Sequence, residues 1–284
     1  PRGLRFYSDK NFGETSKKVV EILGKINKFG ANFSLQTETE ETLKQINRKN
    51  LTPVKLNESI SWARNLNIPT STEFIFGLPG ETFDSFVSQL AKAVERGFDA
   101  INCANLTILN GTEMKRKSFR DEYDFTSKYR INGSNYGLIN NEFCVEYEEI
   151  VVSSNRFSYE EFLMVRLLIV MFYAIFTLQF YRWFFHSLRY VGIPIVDFII
   201  RFASPENRSS WPEKYRNFVI DLNRDIKEEF FDSVDELETF AEKAFKERKL
   251  DDRISAKLNV FYGARLAFME RDWTHDVLLR HIQE

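Results

Sequence analysis

The chain is poor in the residues that build many catalytic centres. Two cysteines, Cys103 and Cys144, and three histidines, His186, His275 and His281, occur in 284 residues. Two cysteines exclude a disulfide framework and fit a reducing, cytoplasmic compartment. The histidines form no HExxH motif and no tight cluster with acids and thiols, which argues against a zinc site. His275 and His281 are six apart and do not share a helical face as an i, i+4 pair would. No GxSxG elbow and no Cys–His arrangement supports hydrolase chemistry. Neither sign of charge is in excess, with 39 Lys+Arg against 41 Asp+Glu. The electrostatic case for a nucleic-acid partner is therefore absent. Long apolar runs are scarce too. The one that stands out, "LLIVMFYAIFTLQFYRWFF" from Leu167 to Phe185, follows Arg166 and is interrupted by Thr177 and Gln179. It falls short of the roughly 20 apolar residues a spanning helix needs. A buried core helix is the first reading. A membrane-surface or inserted helix through 167–185 and a partner interface are the alternatives.

What the chain does have is a repeating order of short β-rich runs and helical patterns, and an unusual 28 phenylalanines to fill a core. "GLRFYS" (3–8) reads as a strand, and "TSKKVVEILGKINKFG" (15–30) as a helix. "ANFSLQT" (31–37) and "EETLKQINR" (40–48) repeat the pair, and "NESISWARNLNI" (57–68) is a further helix with Asn57 as its N-cap. "STEFIFG" (71–77), "TFDSFVSQLAKAVERGF" (82–98) and "AINCANLTIL" (100–109) complete the series. Strands alternating with helices of this length imply βαβ units and a parallel sheet. From Asn110 the pattern changes to a long polar, aromatic-dotted excursion, with one more strand expected within 143–154. Beyond Ser158 the chain reads helical. Phe218, Leu222, Ile226 and Phe230 recur every fourth residue, as on one buried face. "SPENRSSWPEKY" (204–215) is the linker candidate.

In parallel α/β folds ligands bind at the carboxyl ends of the strands. "EFIFGLPGET" (73–82) ends one of them. Alternation puts Glu73, Ile75 and Gly77 on one strand face. An inward carboxylate there needs a cation, donors or a ligand, and an internal pairing is the simpler reading. Gly77 and Gly80 either let a flat ligand approach the backbone or supply a positive φ, Gly80 beside Pro79. The missing GK[ST] element argues against a phosphate loop. Glu81 and Asp84 suit the first turn of the following helix, where the dipole favours acids.

"FYSDKNFG", "FSLQTETEETLKQINRKNLT", "STEFIFGLPGETFDSF" and "NLTILNGTEM" come in an order and spacing that resembles the second half of a radical S-adenosylmethionine (SAM) barrel. The likeness is nearest the group that carries a cobalamin-binding domain. "DEYDFTSKYRINGSNYG" and "EYEEIVVSSNRFSYEEFLMVR" resemble that group's C-terminal region. What the resemblance implies over about residues 4–165 is an α/β fold: a partial, TIM-like (β/α) barrel with about strands three to six present in 1–115 and a loop and strand excursion capping it in 116–157; the mostly α-helical region in 158–284 is read from the residue pattern alone. The implied cofactors are SAM and a [4Fe–4S] cluster that cleaves it to a 5′-deoxyadenosyl radical, with cobalamin as the group's further cofactor. A small-molecule substrate is implied and its identity is not. By the same resemblance Ser34 and Gln36 are candidate ribose or methionine contacts. Ile75 would lie against adenine with Gly77 giving room, and Leu106 and Ile108 belong to the strand that pairs with the adenine edge. Glu73 becomes a carboxylate near SAM or substrate. Arg48 is a candidate for the SAM carboxylate, with a surface role as the alternative. Asp9 and Asn11 are candidate substrate or SAM contacts, or turn-forming residues.

The departure from the family is its CxxxCxxC loop, which is absent; Cys103 and Cys144 cannot replace it, because such a cluster is held by Cys thiolates. The glycine-glutamate motif of the second strand is missing as well. With Pro1 as the first residue, the expectation is a C-terminal fragment that is inert alone and whose partner is the N-terminal part of the same protein. The alternatives are a non-catalytic half-barrel that binds or scaffolds, and a membrane-associated protein.

Overall fold

A computed structural model describes residues 12–26, 30–204, 211–250 and 258–283. The expected strand at 3–8, the candidates Asp9 and Asn11 and half of the 204–215 linker lie outside the described residues. The chain is a mixed α/β protein with a parallel three-stranded sheet and a separate antiparallel hairpin. It divides into two compact units, Pro1–Ala104 and Asn105–Glu284.

The first unit alternates as the sequence predicts: α1 (Glu14–Ile26), β1 (Ala31–Gln36), α2 (Glu40–Gln45), α3 (Pro53–Asn65), β2 (Thr70–Phe76), α4 (Phe83–Arg96) and β3 (Ala100–Asn105). The sheet order is β1-β2-β3, and β1 runs parallel to β2 with Ala31 opposite Thr70 and Phe33 opposite Thr72. β1 and β2 alternate strictly. Ala31, Phe33 and Leu35 of β1, with Thr72, Phe74 and Phe76 of β2, are buried. Leu56, Ile60 and Ala63 of α3 and Phe86, Leu90 and Ala93 of α4 supply further buried apolar side chains. Phe33 meets Phe12 and Phe98 at ring distances of 4.5 and 5.9 Å. The other face carries Asn32, Ser34 and Gln36 beside Ser71, Glu73 and Ile75, all half-buried. Such a strand, apolar on one side and polar on the other, is what a two-residue period dictates.

Local signals fix the helix ends. Thr82 and Ser85 form a reciprocal capping box at the start of α4, and Gly97 ends it in the left-handed region at φ 82°. The expected start of α3 at Asn57 is corrected. The helix begins at Pro53, with the Thr52 hydroxyl accepting from the Lys55 amide at 3.4 Å. Proline at the first helical position has no amide to leave unpaired, so Thr52–Pro53 is the stronger start.

In the second unit the excursion is not a loop. After α5 (Lys117–Tyr123), β4 (Thr126–Ile139) and β5 (Glu142–Ser153) form a long antiparallel hairpin. Its two-residue turn is Asn140–Asn141, with φ of 51° and 67°. Asparagine tolerates this region better than most residues, and two successive positive φ values match the right-handed twist of a hairpin. Then follow α6 (Tyr159–Phe172), a π-turn (Tyr173–Thr177), α7 (Arg182–Tyr190), α8 (Ile195–Ala203), α9 (Glu213–Glu228), α10 (Val234–Lys246), α11 (Leu258–Ala264), a second π-turn (Arg265–Met269) and α12 (Arg271–Gln283). α6 is apolar almost all round and correspondingly buried. Phe218, Leu222, Ile226 and Phe230 are all buried, as their spacing predicts.

Two charge networks hold this unit. Glu229 accepts both arms of Arg166 at 2.9 Å and Arg130 Nη1 at 3.0 Å, while Arg130 Nε reaches Glu148 at 2.8 Å. Glu149 takes hydrogen bonds from Lys115, Arg120 and Ser127. Among the described residues no single helix is long and apolar enough to cross a membrane. The 167–185 run is broken: α6 with its π-turn and α7 meet at a bend of 96°.

Candidate functional site

The polar face of the first sheet assembles a ladder across β1 and β2. Ser71 Oγ donates to Asn32 Oδ1 at 2.9 Å. Asn32 Nδ2 donates to Glu73 Oε1 at 3.4 Å, and Ser34 Oγ donates to Glu73 Oε2 at 3.2 Å. Parallel register explains it. Asn32 pairs with Ser71 and Phe33 with Thr72, which sets the polar residues of β1 beside those of β2. Both donors to Glu73 are neutral. Ile75 continues the same face toward the strand end.

At the next step the register slips. Gln36 pairs with Phe74 rather than Ile75, and its φ is 62°. The Thr37 amide closes a tight turn onto the Leu35 carbonyl at 2.8 Å. An irregularity of this kind re-aims a side chain and ends a ladder, and it recurs next to binding sites. Gln36 is thus separated from Ser34 and Glu73 by a kink that alternation does not anticipate.

Arg48 joins the assembly through the backbone. Its Nη2 donates to the Ser34 carbonyl and its Nε to Asn50 Oδ1 at 3.1 Å. Asn50 in turn donates to the Leu35 and Thr37 carbonyls at 3.1 and 2.7 Å. These two side chains bind the irregular end of β1. Burial lowers the Arg48 guanidinium's proton affinity. Ser34 is the shared node, with its hydroxyl on Glu73 and its carbonyl under Arg48.

Beyond β2, Leu78–Pro79–Gly80–Glu81 is a tight turn, closed by the Glu81 amide on the Leu78 carbonyl at 3.0 Å. Gly80 has φ 81°, and a Cβ there would meet Gln45 Oε1 at 3.1 Å. Proline followed by a positive-φ glycine defines a type II turn, so Gly80 has a sufficient structural reason. Gly77 has φ 102° and is buried.

Glu81 is the residue the sequence reading undervalued. It is 0% exposed. Its Oε2 accepts from Thr37 Oγ1 at 3.1 Å and Gln89 Nε2 at 3.4 Å. Its Oε1 accepts from Thr39 Oγ1 at 3.4 Å and from Ser85 Oγ. All four donors are neutral. Burial pushes the Glu81 carboxyl above its usual range, and the four hydrogen bonds pull it back only in part. Glu81 therefore ties the loop after β1 to the turn after β2 and to α4. A dipole role at a helix start was the whole of its local signal; the hydroxyls that surround it come from two separate segments, the loop after β1 and α4.

The remaining candidates fall elsewhere. The strand expected over 100–109 stops at Asn105. Leu106 and Ile108 belong to the second unit, where the Leu106 carbonyl accepts from the Val151 amide at 3.0 Å and the Ile108 amide donates to the Glu149 carbonyl at 2.8 Å. The apolar alternation that continues past Asn105 serves this pairing with β5. Cys103 lies on β3 with its thiol held protonated by burial, and Cys144 is exposed on β5. Among the described residues no group of three or more His, Cys, Asp or Glu side chains could hold a metal ion. The residues present therefore do not fit a [4Fe–4S] cluster, which needs converging thiolates. A groove of about 360 Å³ between α3 and α4 and one of about 550 Å³ between β5 and α10 do not include the ladder.

No protein-family model matches the chain, and no curated protein matches it.

Proposed function

We propose that the first unit is part of a radical SAM-type barrel and that the Ser34–Glu73 ladder contacts SAM. The observation that carries this reading is the meeting of Ser34 and Glu73. Two residues named separately by the resemblance lie 3.2 Å apart on the half-buried polar face of a parallel sheet. In this reading Glu73 accepts ribose hydroxyls or the methionine ammonium, and Ser34 orients the carboxylate. Ile75 offers an apolar surface to the adenine. Arg48 acts as a positioning residue, through the Ser34 carbonyl. SAM in such barrels supplies radical chemistry on one-electron reduction. Because this chain's cysteines do not fit the cluster, no step of that chemistry is assigned to it. The same reading implies a small-molecule substrate, and the family's cobalamin finds no assigned ligand among these residues.

The test is equilibrium dialysis of SAM against the purified chain. The expected result is measurable retention that Glu73→Gln weakens by roughly tenfold, the loss of a charge-assisted hydrogen bond. Reconstitution with iron and sulfide is expected to give no stoichiometric cluster absorbance. Equal SAM retention by wild type and Glu73→Gln overturns the reading, whereas a stoichiometric cluster would contradict only the expectation that the chain is inert alone. A second reading, a non-catalytic half-barrel that binds or scaffolds, is favoured by the internal pairing of Glu73 with Ser34 and Asn32. A folded chain that retains no SAM would select it.

A further inference from the structure

The outer surface of α7 does not match the interior from which the chain has just emerged. Phe185 and Leu188 are buried, and Phe184 meets Phe198 of α8 at 5.4 Å, so one side of the helix is held to the protein. The opposite side carries Trp183, 81% exposed, and Tyr190, 92% exposed. They are seven residues apart, two turns along one face. Val191 extends that face. Just before the helix, Phe180 is 51% exposed and stacks edge-on with Phe268 at 5.3 Å, and Phe268 and its neighbour Met269 are exposed as well. Arg182, His186 and Arg189 occupy exposed positions beside the aromatic stripe. No acidic residue occurs from Leu167 through Val196. Single exposed apolar residues are ordinary, but an aromatic stripe set beside two arginines, Arg182 and Arg189, marks an interaction surface.

We propose that this face docks on an anionic bilayer, with α7 lying in the interface and Trp183 and Tyr190 among the headgroups. Tryptophan and tyrosine favour that depth because their rings are apolar at one end and polar at the other. Basic residues on the same helix are drawn to anionic lipid. α7 is too short to cross a bilayer. The 96° bend lets α6 stay in the core while α7 turns away from it. A second copy of the chain is the less suited occupant. A two-fold interface brings the same patch against itself, so the cations of α7 would face their own kind.

The purified chain is incubated with phosphatidylcholine vesicles, with or without phosphatidylserine, and the bound fraction is measured by flotation. Binding is expected only to vesicles containing phosphatidylserine, and it is expected to weaken as salt is raised. The double variant Trp183→Ala, Tyr190→Ala is expected to lower partitioning by about tenfold or more. Its thermal midpoint should stay within a few degrees of wild type, because both side chains are exposed. The blue shift of tryptophan fluorescence on vesicle addition should disappear in Trp183→Phe. Three results would overturn the proposal: no partitioning to either vesicle, equal partitioning of wild type and double variant, or a concentration-dependent dimer that the same variant disperses. The last would assign the face to a second copy.

Discussion

Replacing Glu229 with alanine is expected to destabilise the helical unit by about 3–5 kcal/mol, the usual cost of stranding buried charge. Glu229 is the common acceptor for Arg166 and Arg130, whose side chains are only 5% and 16% exposed. Its removal leaves two guanidinium groups inside the protein, with only Glu148 to answer one of them. The pH dependence has a definite sign. Burial pushes the Glu229 carboxyl up, but Arg166 and then Arg130 outweigh it and hold the group below its ordinary value of 4.5. A depressed folded value means stability that is present above the unfolded value and lost as pH falls through the folded one. Urea titrations of the wild type should therefore show a loss in acid that Glu229→Gln flattens. A loss under about 1 kcal/mol in Glu229→Ala would mean that the network relaxes or hydrates without it.

Glu81 should behave in the opposite way with pH. Glu81→Ala leaves four donors without their acceptor and is expected to cost about 2–4 kcal/mol in the first unit. Glu81→Gln keeps the shape and removes the charge. Because the folded carboxyl is raised by burial, the ionised form is disfavoured in the folded protein, and that penalty applies above the folded value. As pH falls through that value the wild type regains stability. Glu81→Gln is therefore expected to match or exceed the wild type above neutrality, with the difference closing in acid. Denaturant melts at several pH values check this. Trp62 reports on the first unit, and Trp183, Trp211 and Trp273 on the second. A gap that widens in acid would contradict the assigned direction.

How much of this was legible beforehand differs by element. β1, β2 and α4 are where the sequence puts them, because period-two burial, the Thr82 cap and Gly97 are local signals that tertiary structure does not override. The sheet end is different. Leu106 and Ile108 look like more of β3, since alternation cannot say which partner a strand will take. The hairpin was hidden by Gly133, Gly137 and a run of polar residues, although Asn140–Asn141 was a readable turn. Ser34 and Glu73 were named, but their ladder partners Asn32 and Ser71 were not. The same two-residue step from the named residues leads to both. Gln36 could not be read, because a slipped register leaves no trace in residue types. Glu81 was the most undervalued residue, since its environment is drawn from positions 37, 39, 85 and 89, which are adjacent only after folding.

That last feature carries an evolutionary consequence. A buried acid served by three hydroxyls and an amide is a single heritable unit spread over five codons. An apolar substitution at one of them leaves a donor or an acceptor stranded, so loss of the polar group at any single position is selected against until the others follow. In relatives of this chain, the acid at 81 and the hydroxyls at 37, 39 and 85 are expected to be kept or lost together. A lineage with an apolar residue at 81 should carry apolar or small residues at the other three.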